Sequence, residues 1–308
     1  AAARSKPVVV VKAGRAPEGA KAAASHTGAL AGSDDVYDAA IRRAGMVRVF
    51  STTDLFGTVE TLAHARPLAG DRLAIMTNGG GPGVMATDAL IDRNGRLASL
   101  SADTLRQLDD VLPPTWSRGN PVDIIGDAPA ARYQRTMEIL LHEPQADAVL
   151  FIRAPTAVVS SADIADAVAP LAAQAPRNVI ACWLGGDAVE QARRTFSGAG
   201  IPSYDTPEEA VAGFMQIVQY HRNQDLLMQV PRASASDAGP DHAKARALVA
   251  AALGEGRELL SEAEAKELLD AYGIPTVATR VADTVEVAVG QARELGFPVA
   301  LKILSPDI

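Results

Sequence analysis

The sequence predicts a layered α/β protein built on parallel sheets covered by helices on both faces. Continuous apolar runs, Leu73–Met76, Ala148–Ile152 and Val179–Trp183, lack the in-out alternation of a half-solvated strand. Each run is followed by a helix-like segment, the alternation that produces parallel crossovers. The cores must be aliphatic, because 48% of residues are hydrophobic and only 4% aromatic.

Along the chain, Leu73–Met76 reads as a strand and Gly81–Arg93 as its helix. Between Asn94 and Asp147 only the turn Gly119-Asn120-Pro121-Val122-Asp123 is singled out. The strand at Ala148–Ile152 precedes a helix over Ser161–Ala173, and Val179–Trp183 precedes one over Asp187–Ser197. Ile201–Tyr204 is a short edge strand. In the next helix Thr206 is the cap, Pro207 the first residue and Glu209 completes a capping box. Val211, Phe214, Met215 and Val218 then form one apolar stripe.

Residues 1–68 read as the second half of a unit. They contain a strand at Val8–Val11, a helix at Asp34–Arg43, a strand at Met46–Phe50 and a helix at Asp54–His64. Two strands do not make a stable sheet alone. Residues 69–230 form a second domain, and the polar, small-residue stretch 231–241 is the linker after it. Residues 242–308 begin a third domain. A capping box at Ser261–Glu264 opens a helix with Ala265, Leu268, Leu269 and Tyr272 on its stripe. A strand (Thr276–Val281), a helix (Thr284–Leu295) and a strand (Val299–Leu304) follow. The chain therefore reads as an internal piece of a longer polypeptide.

A formal charge of -8 with no basic run argues against nucleic acid as a partner. Cys182 is the only cysteine and falls in an apolar run, so it reads as a buried, inert thiol. No apolar stretch reaches the roughly 18 residues needed to span a bilayer. A cytoplasmic protein with no membrane partner is expected, and neither histidine nor cysteine spacing suggests a metal site.

Two loops carry candidate chemistry. In Ser25-His26-Thr27-Gly28-Ala29-Leu30-Ala31-Gly32 a histidine sits among tiny residues, with space around its ring and slack in its backbone. Imidazole is a good nucleophile near neutral pH, with an ordinary pKa of about 6.5. Such a loop suits a histidine that is phosphorylated in one place and read in another; a lone histidine more commonly only hydrogen-bonds. Asn78-Gly79-Gly80-Gly81-Pro82-Gly83 follows a strand and opens a helix, a combination that turns N–H groups toward an anion. Tight packing is the competing reason for the glycines, and Asn78 reads equally as ligand or brace. Asn120 and Asp123 read as satisfying turn backbone, and Asp187 as a helix cap. Lys302, inside an apolar run, must reach an edge, a carboxylate or an anionic ligand.

These residues together resemble the nucleoside-diphosphate-forming acyl-CoA synthetases, relatives of succinyl-CoA synthetase. The resemblance rests on residues 6–15, 25–32, 77–83, 119–123, 296–302 and 305–308. It implies flavodoxin-like, doubly wound parallel-sheet ligase domains followed by the amino-terminal part of an ATP-grasp domain. It implies that His26 is the phosphorylated histidine and that Asn78, Gly79, Gly80 and Gly81 hold the phosphate on it. Lys302 matches the lysine that contacts nucleotide phosphates. The implied reaction converts acyl-CoA, phosphate and ADP to carboxylate, CoA and ATP, with Mg2+ accompanying the nucleotide. The CoA-binding domain, the carboxylate that steadies the histidine and the larger nucleotide lobe lie outside this chain, so the piece alone is expected to be inactive; a homodimer is common in the family. The synthetase-like region of bacterial protein lysine acetyltransferases is also similar, notably over residues 38–45 and 214–224. That likeness implies an acyl-CoA-sensing regulatory role instead, although retention of His26 favours catalysis.

Overall fold

In the computed structural model, residues 2–27, 33–229 and 239–304 are described, apart from the side chains of residues 23–27. The chain divides into two compact units, Ala1–Gln229 and Val230–Ile308.

The first unit opens with strand β1 (Val9–Val11), helix α1 (Pro17–Thr27), helix α2 (Asp34–Arg43), strand β2 (Val47–Val49) and helix α3 (Thr52–His64). Helix α1 extends further than the loop expected around His26. Pro17 in its first turn and the alanines 20 and 22–24 favour helix, so Ser25, His26 and Thr27 become its last turn. Gly28–Gly32 and the His26 side chain lie outside the described residues. β1 and β2 pair in parallel as a two-stranded sheet.

The larger sheet is made by β3 (Arg72–Thr77), β4 (Arg96–Leu97), β5 (Val122–Asp123), β6 (Ala148–Arg153), β7 (Asn178–Trp183) and β8 (Ser203–Tyr204). All its pairings are parallel, in the order β4-β3-β6-β7-β8, with β5 also on β3. The helices are α4 (Gly80–Asp92), α5 (Ala102–Asp109), α6 (Ala130–Leu141), α7 (Ser161–Ala173), α8 (Glu190–Gly198) and α9 (Pro207–Met228). The region between Asn94 and Asp147, read from sequence only as a turn, holds α5 and α6. Ser101 caps α5 through Thr104 N–H, and Tyr133, Met137, Leu140 and Leu141 make the buried stripe of α6.

Side chains alternate across the strands and fill two cores. Ala74, Met76, Val149, Phe151, Ala181 and Trp183 face α5–α8. Leu73, Ile75, Leu150, Ile152, Ile180 and Cys182 face the other way, with Ala86 and Leu90 of α4 and Val211, Phe214 and Val218 of α9. Val47, Val49 and Leu62 share this second core, so the small sheet does not stand alone. Gln224 of α9 donates to the carbonyls of Ala3 (3.0 Å) and Gly45 (2.8 Å). Gly45 has a φ of +75°, and a Cβ there would come within 2.6 Å of Leu227 Cδ2.

Two caps differ from expectation. A short 3-10 turn, Gly186–Val189, precedes α8, and neither receives a side-chain cap, so exposed Asp187 caps nothing. Thr206 does cap α9, accepting from Glu209 N–H at 3.2 Å, but the Glu209 side chain does not return the bond that would complete the expected capping box.

The second unit contains α10 (His242–Gly254), α11 (Glu262–Ala271) and α12 (Val285–Leu295). Both bonds of the Ser261–Glu264 capping box are present. The strands expected at Thr276–Val281 and Val299–Leu304 are absent: neither segment pairs with a described neighbour. A strand is a relation between segments, and here Val277, Leu301 and Ile303 are exposed rather than packed. No helix among the described residues is long and apolar enough to cross a membrane.

Candidate functional site

The chain leaves β3 for neighbours on both sides, so the strand order reverses between β3 and β6. In open α/β sheets the ligand crevice lies at the carboxyl ends of such a pair. Here that crevice is bounded by residues 78–81 after β3, residues 124–128 after β5 and residues 154–160 after β6.

Asn78 is 3% exposed and spans the crevice floor. Its Nδ2 donates to Ala154 O at 2.9 Å, and Ala154 N–H donates to its Oδ1 at 2.8 Å. The side-chain amide is thus committed to bracing the β3 and β6 ends. Thr77 Oγ1 accepts from Gly79 N–H at 3.1 Å and donates to Gly79 O at 2.9 Å, fixing the next peptide.

The glycines then divide by role. A Cβ on Gly83 would sit 3.0 Å from Thr77 Cγ2 and 3.3 Å from Pro121 Cβ, and one on Gly79 would sit 3.4 Å from Ala154 Cβ. Gly83 serves close packing, whereas the contact at Gly79 is an ordinary one. Gly80 and Gly81 are exposed, and at Gly81 a Cβ would meet nothing within 4 Å. Gly79 gives α4 no side-chain cap, and Pro82 carries no N–H. The N–H groups of Gly80 and Gly81 therefore open a 13-residue helix toward the crevice, with its positive dipole end behind them.

The wall after β5 is unusually shaped. Ile125 has a φ of +69°, a conformation that strains a β-branched residue. Its N–H donates to Asp123 Oδ1 at 2.9 Å, while Oδ2 stands 3.4 Å from where a Gly80 Cβ would be. Asn120 plays a structural part, because Ile75 N–H donates to its Oδ1 and its Nδ2 donates to Leu73 O and Ala98 O. The amide continues the β3 ladder across the gap between β4 and β5. The turn reading of Asn120 and Asp123 is thereby refined, since Asn120 reaches β3 rather than its own turn.

Beneath residues 154–160 lies Arg153, wholly buried, which sequence reasoning did not single out. Its signal is a charge closing the apolar run Ala148–Ile152, the same feature that marks Lys302. In the second unit Lys302 is exposed and pairs with Glu262 at 2.9 Å, a carboxylate being one of the three partners the sequence left open beside an edge and an anionic ligand. Lys266 binds the same carboxylate, and the two ammonium groups, Lys266 first, hold Glu262 below the usual range. Cys182 is buried as expected.

Comparison with known proteins gives this geometry its family. The succinyl-CoA ligase like flavodoxin domain matches residues 1–62, the ligase-CoA domain residues 73–228 and the ATP-grasp domain residues 251–308. The chain is 38% identical to an ADP-forming acetate–CoA ligase I of Archaeoglobus fulgidus, over 99% of this chain and 43% of that one. It is 33% identical to an ADP-forming 4-hydroxybutyrate–CoA ligase of Nitrosopumilus maritimus, over 98% and 43% respectively. An acetyl-coenzyme A synthetase 1 of Ca. Korarchaeum cryptofilum, solved with phosphate and ADP, superposes with a TM-score of 0.69 at 32% identity, covering 73% of this chain and 49% of that one. The chain thus spans under half the length of these relatives. Their names are those of ligases and synthetases, and the acetyltransferase-regulatory reading gains no support from them. With its flavodoxin-like ligase regions and the start of an ATP-grasp region, the chain belongs to the NDP-forming acyl-CoA synthetase superfamily, the relatives of succinyl-CoA synthetase.

Proposed function

We propose that this chain supplies the phosphoryl-relay part of an acyl-CoA synthetase that interconverts acyl-CoA, phosphate and ADP with carboxylate, CoA and ATP. Phosphate displaces CoA to give an acyl phosphate. A His26 ring nitrogen then attacks phosphorus, and the P–O bond to the acyl group breaks to release the carboxylate. ADP finally takes the phosphoryl group from the ring, regenerating free imidazole.

The observation that carries this reading is the uncapped amino end of α4, where the Gly80 and Gly81 N–H groups face the switch-point crevice. Two donors and a helix dipole suit a phosphoryl dianion and need no side-chain ligand. Asn78 serves as the brace that holds this loop, not as a direct ligand. The phosphate and ADP in a solved relative support the same chemistry. Lys302 would exchange Glu262 for nucleotide phosphates, and Mg2+ would arrive with the nucleotide.

The test is a polypeptide carrying this chain together with a CoA-binding region and a complete ATP-grasp region. Incubated with ATP labelled in its γ-phosphate, it should acquire an acid-labile, base-stable label that His26→Ala abolishes. Gly81→Asp adds a like charge where there is open space, and should lower the labelled fraction about tenfold without unfolding the protein. Absence of label, or label that survives His26→Ala, refutes the proposal.

A further inference from the structure

Arg153 ends β6 in register with Trp183 of β7, on the face covered by α6 and α7. It is the only lysine or arginine among the described residues that is fully buried. Its Nη2 donates to Val159 O at 3.0 Å and to Thr156 Oγ1 at 3.4 Å. Its Nε and Nη1 have no partner among the described residues. Burial pushes its pKa down, and no carboxylate among the described residues offsets this; Tyr133 beside it is a neutral phenol, its own pKa raised by burial to about 12. A guanidinium keeps its proton even so. Among the described residues this buried positive charge therefore has no counter-charge, an expensive arrangement unless an anion completes it.

The surroundings define that anion. The guanidinium carbon stands 5.8 Å from the Tyr133 ring centre, and Tyr133 Oη and Trp183 Nε1 are themselves buried donors without acceptors among the described residues. Phe151, Trp183 and Phe196 pack around them with ring centres 5.0–5.8 Å apart. A planar fork pairs well with a planar carboxylate. One cation in an aromatic setting balances one negative charge on an apolar stem, but not a phosphate dianion. The roof is part of the crevice already described: Thr156 Cγ2 lies 3.8 Å, and Asn78 O 3.7 Å, from where a Gly126 Cβ would be.

We propose that Arg153, with the Tyr133 hydroxyl beside it, receives the carboxylate of a small organic acid that enters the crevice by lifting residues 154–160 from Nη2. This deepens the acyl-CoA synthetase reading and rests on it for the identity of the acid. Binding itself needs neither His26 nor a nucleotide, so its failure is distinct from failure of the phosphohistidine. The carboxylate is either the reacting group of a simple acid or the distal group of a dicarboxylic one.

The experiment follows thermal unfolding of the 308-residue chain by tryptophan fluorescence, with acetate, succinate or chloride added at equal ionic strength. A saturable rise in midpoint of about 3 °C or more is expected for a carboxylate, with no matching effect of chloride. Acetate as effective as succinate assigns the reacting carboxylate; a tenfold preference for succinate assigns the distal one. Arg153→Met should unfold at a higher midpoint without ligand, since it removes an unpaired buried charge, and should not respond to carboxylates. Arg153→Lys and Tyr133→Phe should each weaken the response about tenfold. A wild-type response no larger than that to chloride, or an undiminished response in Arg153→Met, overturns the proposal. Should Arg153→Met fail to fold, full wild-type responses in both Arg153→Lys and Tyr133→Phe overturn it instead.

Discussion

Replacing Asn120 tests how the crevice is held open. In the wild type Ile75 N–H donates to Asn120 Oδ1 at 2.9 Å, and Asn120 Nδ2 donates to Leu73 O (2.8 Å) and Ala98 O (2.9 Å). Ile75 and Leu73 are fully buried, and Ala98 is 2% exposed. In Asn120→Ala the Ile75 N–H is stranded, which costs about 1–3 kcal/mol. Leu73 O keeps its bond from Ala98 N–H at 2.9 Å, so each carbonyl loses only about 0.5–1.5 kcal/mol. The total is about 2–6 kcal/mol, a large share of the ~5–15 kcal/mol typical of a domain. Asn120→Asp should be worse at neutral pH, because a carboxylate oxygen replaces the Nδ2 donor between two carbonyl oxygens. Both tryptophans, Trp116 and Trp183, lie in the first unit, so urea unfolding followed by fluorescence reports on that unit alone. A loss below about 1 kcal/mol in Asn120→Ala, or an Asp variant as stable as the Ala variant, would refute the ladder role.

Two further outcomes follow from burial. Burial raises the pKa of Glu143, but backbone N–H bonds from Ser101 (2.8 Å) and Gln145 (2.7 Å) outweigh it and hold the carboxyl below its usual range. Asp147 is likewise buried yet lowered, by Arg72 through its side chain and its N–H. A lowered folded value means that the unfolded chain binds more protons in acid. This stability is complete above the ordinary carboxylate pKa of about 4 and lost as pH falls below it. Glu143→Gln and Asp147→Asn should thus be less stable at pH 7 and lose less between about pH 5 and pH 3; unchanged acid curves in both would contradict the assignment. Burial also pushes the Cys182 thiol up to about 12. An aromatic disulfide reagent at pH 8 should therefore label it only in denaturant, and rapid labelling of the native chain would show an open path to β7.

What is legible in the sequence is what local chemistry decides. Thr206, Pro207 and the stripe Val211, Phe214, Met215 and Val218 specify α9 from cap to core; Val211, Phe214 and Val218 are buried and Met215 is half-buried against them. The runs ending at Met76, Ile152 and Trp183 are central strands because only a sheet covered on both sides can hide them. The strand-like runs near Val277 and Leu301 carry equally good patterns, but pattern alone does not supply the neighbour that a ladder requires. The ladder role of Asn120 is hidden for a related reason, since its partners lie 22–47 positions away.

The glycine loop shows where such legibility ends and why chemistry must be read from coordinates. Four of the residues 79–83 are the same letter, but the space around them sorts them into two kinds. Gly83 is a glycine because Thr77 and Pro121 crowd the place of a methyl group, whereas a Cβ on Gly79 would make only an ordinary contact with Ala154. Gly80 and Gly81 face the crevice, so packing alone does not explain the missing side chain at Gly81, and access to its backbone N–H does. The packing reading and the anion reading of the loop are therefore both correct, at different positions. Close packing fixes where the helix begins, and that fixed start aims two unshielded donors at the point where β3 and β6 part.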